Sequence, residues 1–463
     1  MKIRIQTQNQ GGALVMTLLT ALVIGITLAS YLTMVSTQNV ATMRSLAWNS
    51  AIPVVEAGVE AALTHLHYKG VTNLYSEGWE PVVGGYGKRG TLGDGSSYQV
   101  VIVPPPPAPA PDAPIITCLG EVPAPLSPAS QFGMILGGLL LQPSATAVAM
   151  SRKVRVTALR TPLFNISMFG DDGIDLRGNN IMTDSFDSTL EAESTNGKYD
   201  PAKSSAEGDV ATNSGLVSSV SVGNADIKGK VSTGPGGSVA IGPNGSVGDK
   251  AWVEGGNNGI QDGHIADDTN VELFSAQLPQ GVNWTTTYNG SVNGTNILNG
   301  LAQPGFFKLN TFSGKVLVTG NVTVYVPLGG TLDFTGNSGV TLANGATLKI
   351  YVGAADAKIS GNGFMNPGSA LNLQYWGLDS NTSIQFGGNA AYTGTIYAPE
   401  ADFKLSGGGN DMYDFVGACM TKKVTMNGHF KFHYDKALRK LGPIMGYIVK
   451  TWNEVDPFTV TYY

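Results

Sequence analysis

No charged side chain occurs between Arg4 and Arg44, and that gap constrains what the rest of the chain can do. Inside it, Ala13 to Val35 reads ALVMTLLTALVIGITLASYLTMV, almost wholly apolar or small. About 23 residues at ~1.5 Å each cross the ~30 Å hydrocarbon core of a bilayer. Lys2 and Arg4 precede the run, so the positive-inside rule leaves the N-terminus in the cytoplasm. Everything after Thr42 is then expected outside the inner membrane, in the periplasm or at the cell surface. A cleaved secretory signal competes with this reading, but its apolar segment is usually about 7–15 residues. The helical pattern also outlasts the apolar run. Val55, Val59, Ala62, Leu63 and Leu66 recur at helical spacing, with Glu56 and Glu60 one turn apart on another face. One helix is expected to continue to about His67, with Pro53 as a place to kink and His65 and His67 on its wet side.

Beyond the helix the composition favours extracellular β structure. Only 13% of the 463 residues are charged and 61 are Gly, against about 25% charged and about 7% Gly in ordinary soluble proteins. A net charge of −6 gives no electrostatic reason for a nucleic-acid partner. Cys118 and Cys419 are the only cysteines. They allow one disulfide or two thiols, and without a Cys/His cluster they do not make a structural zinc site.

Five segments are expected: a basic leader at 1–12, the helix at 13–68, a β neck at 69–160, a β body at 161–440 and a C-terminal cap at 441–463. In the neck, the run PPPPAPAPDAP at Pro104 to Pro114 is extended and semi-rigid. Residues 104–150 read as an insertion between two strands. Its apolar piece, Phe132 to Leu141, is too short to span a membrane and suits a buried hairpin or a surface-lying segment.

In the body, short β-branched runs such as Val322 to Val326 and Thr347 to Val352 alternate with Gly-Asn steps at Gly320, Gly336, Gly361, Gly388 and Gly409. Gly and Asn tolerate positive φ and turn the chain sharply. The steps lie roughly 16 to 27 residues apart, a drifting repeat of the β-helix kind. A hairpin sandwich shows turns every 8–12 residues or so. The expected fold is therefore mainly β: a right-handed parallel β-helix, or β-solenoid, behind a long N-terminal transmembrane helix. Each coil buries its apolar face only by stacking on its neighbours.

Two resemblances sharpen this. Gln10-Gly11-Gly12-Ala13-Leu14-Val15, then the apolar run and Val55-Glu56-Ala57-Gly58-Val59-Glu60-Ala61-Ala62-Leu63, resemble the start of PilX-type type IV pilus assembly proteins. The resemblance implies a pilin-like helix carrying the Glu56, Gly58, Glu60 motif, pilus-assembly partners, and a leader cut after Gly11 or Gly12. Main pilins carry a Glu five residues into the mature chain, where Met16 or Thr17 stands here. Further on, Met182 to Ser188 (MTDSFDS), Val222 to Gly229, Ile396 to Ala401 with Leu405 to Gly409, and Phe432 to Leu438 (FHYDKAL) are similar to the uncharacterised domain that often follows PilX-type N-termini. That domain is similar to a right-handed β-helix, distantly like bactofilins.

The candidate site residues are Asp184, Ser185, Asp187 and Ser188, with His433, Tyr434 and Asp435. They suit corner stitching through Asx- and ST-turns and an end-locking His–carboxylate bond. The competing reading is a membrane-tethered carbohydrate-active β-helix enzyme, which needs paired carboxylates facing one groove. Asp171, Asp172, Asp175, Asp411 and Asp414 are further candidates for it. No cofactor is expected. Calcium has possible oxygen ligands at Asp172 to Asp175 or at Asp262, but no complete EF loop occurs. The reading that best joins these features is a non-enzymatic envelope protein displaying a β-solenoid for assembly or adhesion, with the inner membrane, pilus components and surface glycans as partners.

Overall fold

The computed structural model describes residues 10–69, 74, 77–105, 113–123, 149–178, 180–360, 363–387, 392–407, 415–428 and 430–457. The chain is mainly β behind one long apolar helix, and it divides into two compact units. The first comprises 1–161 and 445–463, and the second 162–444.

In the first unit one helix runs unbroken from Gln10 to Lys69, through Pro53. Its first half has no cover among the described residues: Leu14, Leu18, Leu22, Ile26 and Tyr31 are all more than half exposed. Threonines in this half turn their hydroxyls back onto the preceding turn, as Thr20 does to Met16 O (2.9 Å) and Thr27 to Val23 O (3.0 Å), so their polar groups are met within the helix. The second half has a buried face of Ala51, Val54, Val55, Val59, Ala62 and Leu66, with Glu56 and Glu60 exposed opposite. Each buried Val or Leu contributes about 1.5–3 kcal/mol. This face packs on strands Ser97–Val103 and Ile115–Pro123. Two glycines set how close it comes. A Cβ at Gly58 would collide with Cys118 Sγ and lie 2.9 Å from the Tyr98 ring, and one at Gly120 would lie 2.7 Å from Val55.

Three expectations change here. Ile115–Pro123 falls inside the supposed 104–150 insertion, yet it is a central strand, paired antiparallel with Ser97–Val103 on one side and Ala149–Pro162 on the other. The flanking prolines concealed a strand whose own residues alternate buried and half-buried. The apolar stretch Phe132 to Leu141 lies outside the described residues. The supposed cap at 441–463 holds strand Ile444–Val455, which joins the edge of the same sheet beside Ala149–Pro162. There Arg152 grips Glu454 bidentately (2.7 and 2.6 Å) and stacks its guanidinium over Trp48 at 4.9 Å. Finally, His65 is buried edge-on to Trp79 (5.6 Å), while His67 is exposed.

The second unit is built on parallel ladders. Its strands are in register such that one inward column runs Phe307, Val324, Ile350, Tyr375, Ile396, Cys419, Met168, Val210, Val231 and Ile265. Every member but Ile265 is buried. A second inward stack joins Phe312, Phe334, Phe364, Tyr392, Phe415 and Phe432, with successive ring centroids between 4.3 and 6.1 Å apart. Cys419 is thus core packing. Both Cys118 and Cys419 are buried free thiols, and burial pushes the Cys118 thiol up to about 12.

The rungs do not stack in chain order. From Met168–Leu176 the chain builds outward to Ile265–Ala266. It then starts again at the opposite end with Thr295–Lys308 and winds back. The closing strands, Phe415–Gly428 and Lys431–Asp435, lie on the opening ones, Met168–Leu176 and Met182–Phe186. A strap over 267–289 makes the return crossing. The Asn213 amide holds both backbone groups of Val271 (2.8 and 2.7 Å), the Tyr397 hydroxyl both backbone groups of Phe274 (2.8 and 2.6 Å), and Thr285 pairs with Phe306 and Lys308 (2.8 Å each).

The helix–sheet contact makes Gly58 sensitive in a way that its exposed neighbour is not. Gly58→Leu should lower the stability of the first unit by at least the ~1–3 kcal/mol typical of overpacking. Glu60→Leu on the open face should change it little. Urea melts of the detergent-solubilised chain, followed by tryptophan fluorescence, separate the two.

Candidate functional site

The seam between last and first rungs is where the sequence-predicted residues meet. Strand Lys431–Asp435 pairs in parallel with Met182–Phe186, which sets His433 opposite Asp184 and Tyr434 opposite Ser185. Alternation along both strands turns His433 and Asp184 the same way. Their side chains, both fully buried, meet at 2.6 Å from His433 Nδ1 to Asp184 Oδ1. An ionised Asp184 can only accept, and Nδ1 is then the donor. The second carboxylate oxygen accepts from the Tyr199 hydroxyl (2.6 Å), and the Tyr199 ring stacks on the imidazole at 3.7 Å. Asp184 is thus held from two sides under an aromatic lid.

The neighbouring residues stitch the same corner. Ser185 Oγ meets Ser205 Oγ (2.9 Å) and accepts from Glu207 N (2.8 Å), while Thr183 Oγ1 donates to Gly208 O (2.8 Å). A Cβ at Gly208 would come within 2.6 Å of Asp184 N, so only glycine lets this segment lie against the strand. Asp187 accepts from Thr189 N (2.9 Å) and Thr189 Oγ1 (2.5 Å) on one oxygen, and from Lys440 Nζ (3.0 Å) on the other. Burial alone would raise its pKa, but the Thr189 bonds and Lys440 outweigh burial and hold the carboxyl below its ordinary value.

Asp435 goes the other way. Burial lifts its pKa, and the hydrogen bonds from Ser188 and Ala437 backbone N–H to Oδ1 (3.0 Å each) offset this only in part. The Tyr434 hydroxyl donates to Phe164 O (2.6 Å), and Arg439 lies 5.2 Å over the Tyr434 ring. Lys436 bridges Glu193 (2.6 Å) and Glu207 (3.0 Å), and Arg439 also pairs with Glu207. Beside the cluster opens a pocket of about 340 Å³, lined among others by Phe186, Tyr199, Asn366, Thr393, Val416 and Asp435.

The structure therefore brings together Asp184, Ser185, Asp187, Ser188, His433, Tyr434 and Asp435. They stitch a seam between distant parts of the chain, where corners within one rung were expected. Tyr199, Glu207 and Arg439 complete the cluster. Tyr199 and Glu207 carry no local signal in the sequence, whereas the basic run Lys436 to Lys440, which holds Arg439, is one that could have pointed to acidic neighbours.

Other candidates stand elsewhere. Asp171 Oδ1 accepts from Asn213 (2.7 Å) and Asp175 pairs with Arg177 (2.5 Å). Asp411 and Asp414 lie outside the described residues. Glu56, Gly58 and Glu60 belong to the first unit, and Gly12 stands on the open helix. Among the described residues no group of three His, Cys, Asp or Glu is placed to hold a metal ion.

A family model described as a domain of unknown function (DUF7305) matches residues 309–441. The match takes in the returning rungs after Thr295–Lys308 and ends just past the seam. No curated protein and no solved structure matches the chain.

The two carboxylates predict opposite pH behaviour. A lowered folded-state pKa at Asp187 means its stabilisation is complete above the ordinary Asp range and is lost as pH falls through the lowered value. The raised pKa of Asp435 opposes folding as pH rises through that same range. Asp187→Asn should cost about 1–3 kcal/mol at pH 7, and the deficit should shrink in acid. His433→Ala, which strands a buried carboxylate, should cost about 3–5 kcal/mol. Urea melts between pH 7 and pH 3 read both.

Proposed function

We propose that this chain is a non-enzymatic cell-envelope protein of the pilus-assembly kind. Its helix tethers it in the inner membrane, and its second unit, a right-handed parallel β-helix, is displayed on the outer side for assembly or adhesion. The observation that carries this reading is the change of environment along one unbroken helix. Its first half offers a full girth of apolar side chains with nothing packed on it, at a length that suits a bilayer. Its second half buries one face on a sheet. A tether that continues as a structural rod is what a pilin-like protein needs.

The β-helix reading rests on the unbroken inward column and on parallel pairing from rung to rung, since parallel strand connections are right-handed in about 98% of cases. The non-enzymatic reading rests on how the acids are used. Both oxygens of Asp184 and of Asp187 already accept hydrogen bonds within the fold. A glycosidase pair instead faces substrate across roughly 5–9.5 Å.

Membrane fractionation with mass spectrometry of the mature N-terminus tests the proposal. The expected result is a membrane-bound chain cut after Gly11 or Gly12. A soluble chain cut near Ser30 would overturn the tether, and a membrane-bound chain with its leader intact would overturn pilus-type processing. Glycan cleavage lost on Asp184→Ala without unfolding would replace display with catalysis.

A further inference from the structure

The ladder that aligns the core also aligns an outward column. Tyr325 pairs with Tyr351, Tyr351 with Trp376, and Trp376 with Tyr397, so four aromatic rings stand one above another on successive rungs. Tyr351 and Trp376 are stacked at 6.3 Å, and Trp376 and Tyr397 lie 5.3 Å apart. Tyr397 is fully buried beneath Phe274 of the strap (5.1 Å), whereas Tyr325, Tyr351 and Trp376 keep part of their surface. The strap is pinned again at Trp284, 5.7 Å from Tyr325.

Between those pins the strap has far more chain than it needs. Three rungs at ~4.8 Å are about 14 Å, while about ten extended residues reach roughly 33 Å. Among the described residues, 275–283 make no hydrogen bond to the ladder: the side chains of Gln277 and Gln280 reach only their own neighbours. Ala276 is nevertheless buried, and Leu278 and Pro279 are half-buried. The strap is thus a slack, proline-containing segment held between two pins on an aromatic column. Extended proline-rich chains bind aromatic grooves.

We propose that Tyr325, Tyr351 and Trp376 form a docking groove for an extended proline-rich strand, and that its occupant is the run from Pro104 to Pro114 of a second copy of this chain. Charge supports the choice. The run PPPPAPAPDAP carries one charged residue, Asp112. The groove offers Lys308, whose ammonium lies 5.7 Å over Tyr325, and Lys349, exposed two residues before Tyr351 on the same strand. The strap has the length to move aside with its pins kept. Copies tethered in one membrane would meet at high effective concentration, which lets a weak contact act. The second copy rests on the assembly reading above, but groove binding does not, so the two fail separately.

The test is titration of the detergent-solubilised full chain with a synthetic peptide of residues 104–114, followed by tryptophan fluorescence, alongside sedimentation of the chain alone. Saturable binding is expected. It should fall at least tenfold in Trp376→Ala, recover in Trp376→Phe, weaken with salt, and vanish when the peptide's prolines are replaced by Gly. Trp376→Ala should also reduce self-association. Tyr351→Ser provides a second groove variant should Trp376→Ala unfold. Absence of binding, or binding indifferent to both groove variants, would overturn the groove. Peptide binding with unchanged self-association would overturn the second copy as its occupant. Trp376-dependent binding of cellohexaose in place of the peptide would make the partner a glycan and overturn the proposal.

Discussion

The body depends on the register between its last rung and its first. A parallel strand left at an edge exposes a row of unmet N–H and C=O groups. At the seam, Cys419 to Thr421 pair with Met168 to Gly170, and Lys423 to Met426 with Gly173 to Leu176. The inward column passes through this pairing without a break. A slip of one residue would turn every inward side chain outward, so the seam needs a device that admits one register only. The His433–Asp184 bond is such a device: two buried polar side chains meet at 2.6 Å only when their strands are correctly aligned. Tyr199, stacked on the imidazole and bonded to the carboxylate, closes the remaining side.

The parts of the molecule that were legible in the sequence are those governed by local periodicity. Val55, Val59, Ala62 and Leu66 recur at helical spacing, and they form the buried face of a helix that runs to Lys69. The β character of the body was legible from its short apolar runs and glycine turns for the same reason. Strand Ile115–Pro123 was not, because the proline-rich segments on both sides suggested an insertion and outweighed its own alternation. Strand Ile444–Val455 follows a short helix directly, and nothing in its residues says which sheet it joins.

The candidate site was legible in its chemistry and hidden in its geometry. Asp184, Asp187, His433 and Asp435 are residue types that suit Asx-turns and a His–carboxylate bond, which marked them as partners of something. Which strand faced which depended on a pairing across 249 residues, and a repeat looks alike whether its rungs stack in chain order or return to the beginning. Tyr199 and Glu207 sit in a loop whose sequence has no pattern of its own. Their roles come entirely from where the seam places them.

The order of the rungs has a consequence for how the molecule is made. A ladder stacked in chain order can grow as it emerges from the ribosome or a membrane channel, each new rung finding a finished neighbour. Here the strands from Met168 to Ala266 must wait with one edge bare, because their partner is the last rung to be synthesised. The chain is also committed to slow, non-local pairing. A product stopped anywhere before Asp435 would retain an open edge, while a chain with its closing strands hides it. Arrival of the closing strands and concealment of the edge are thus one event, so the fold itself separates a chain that has those strands from one that lacks them.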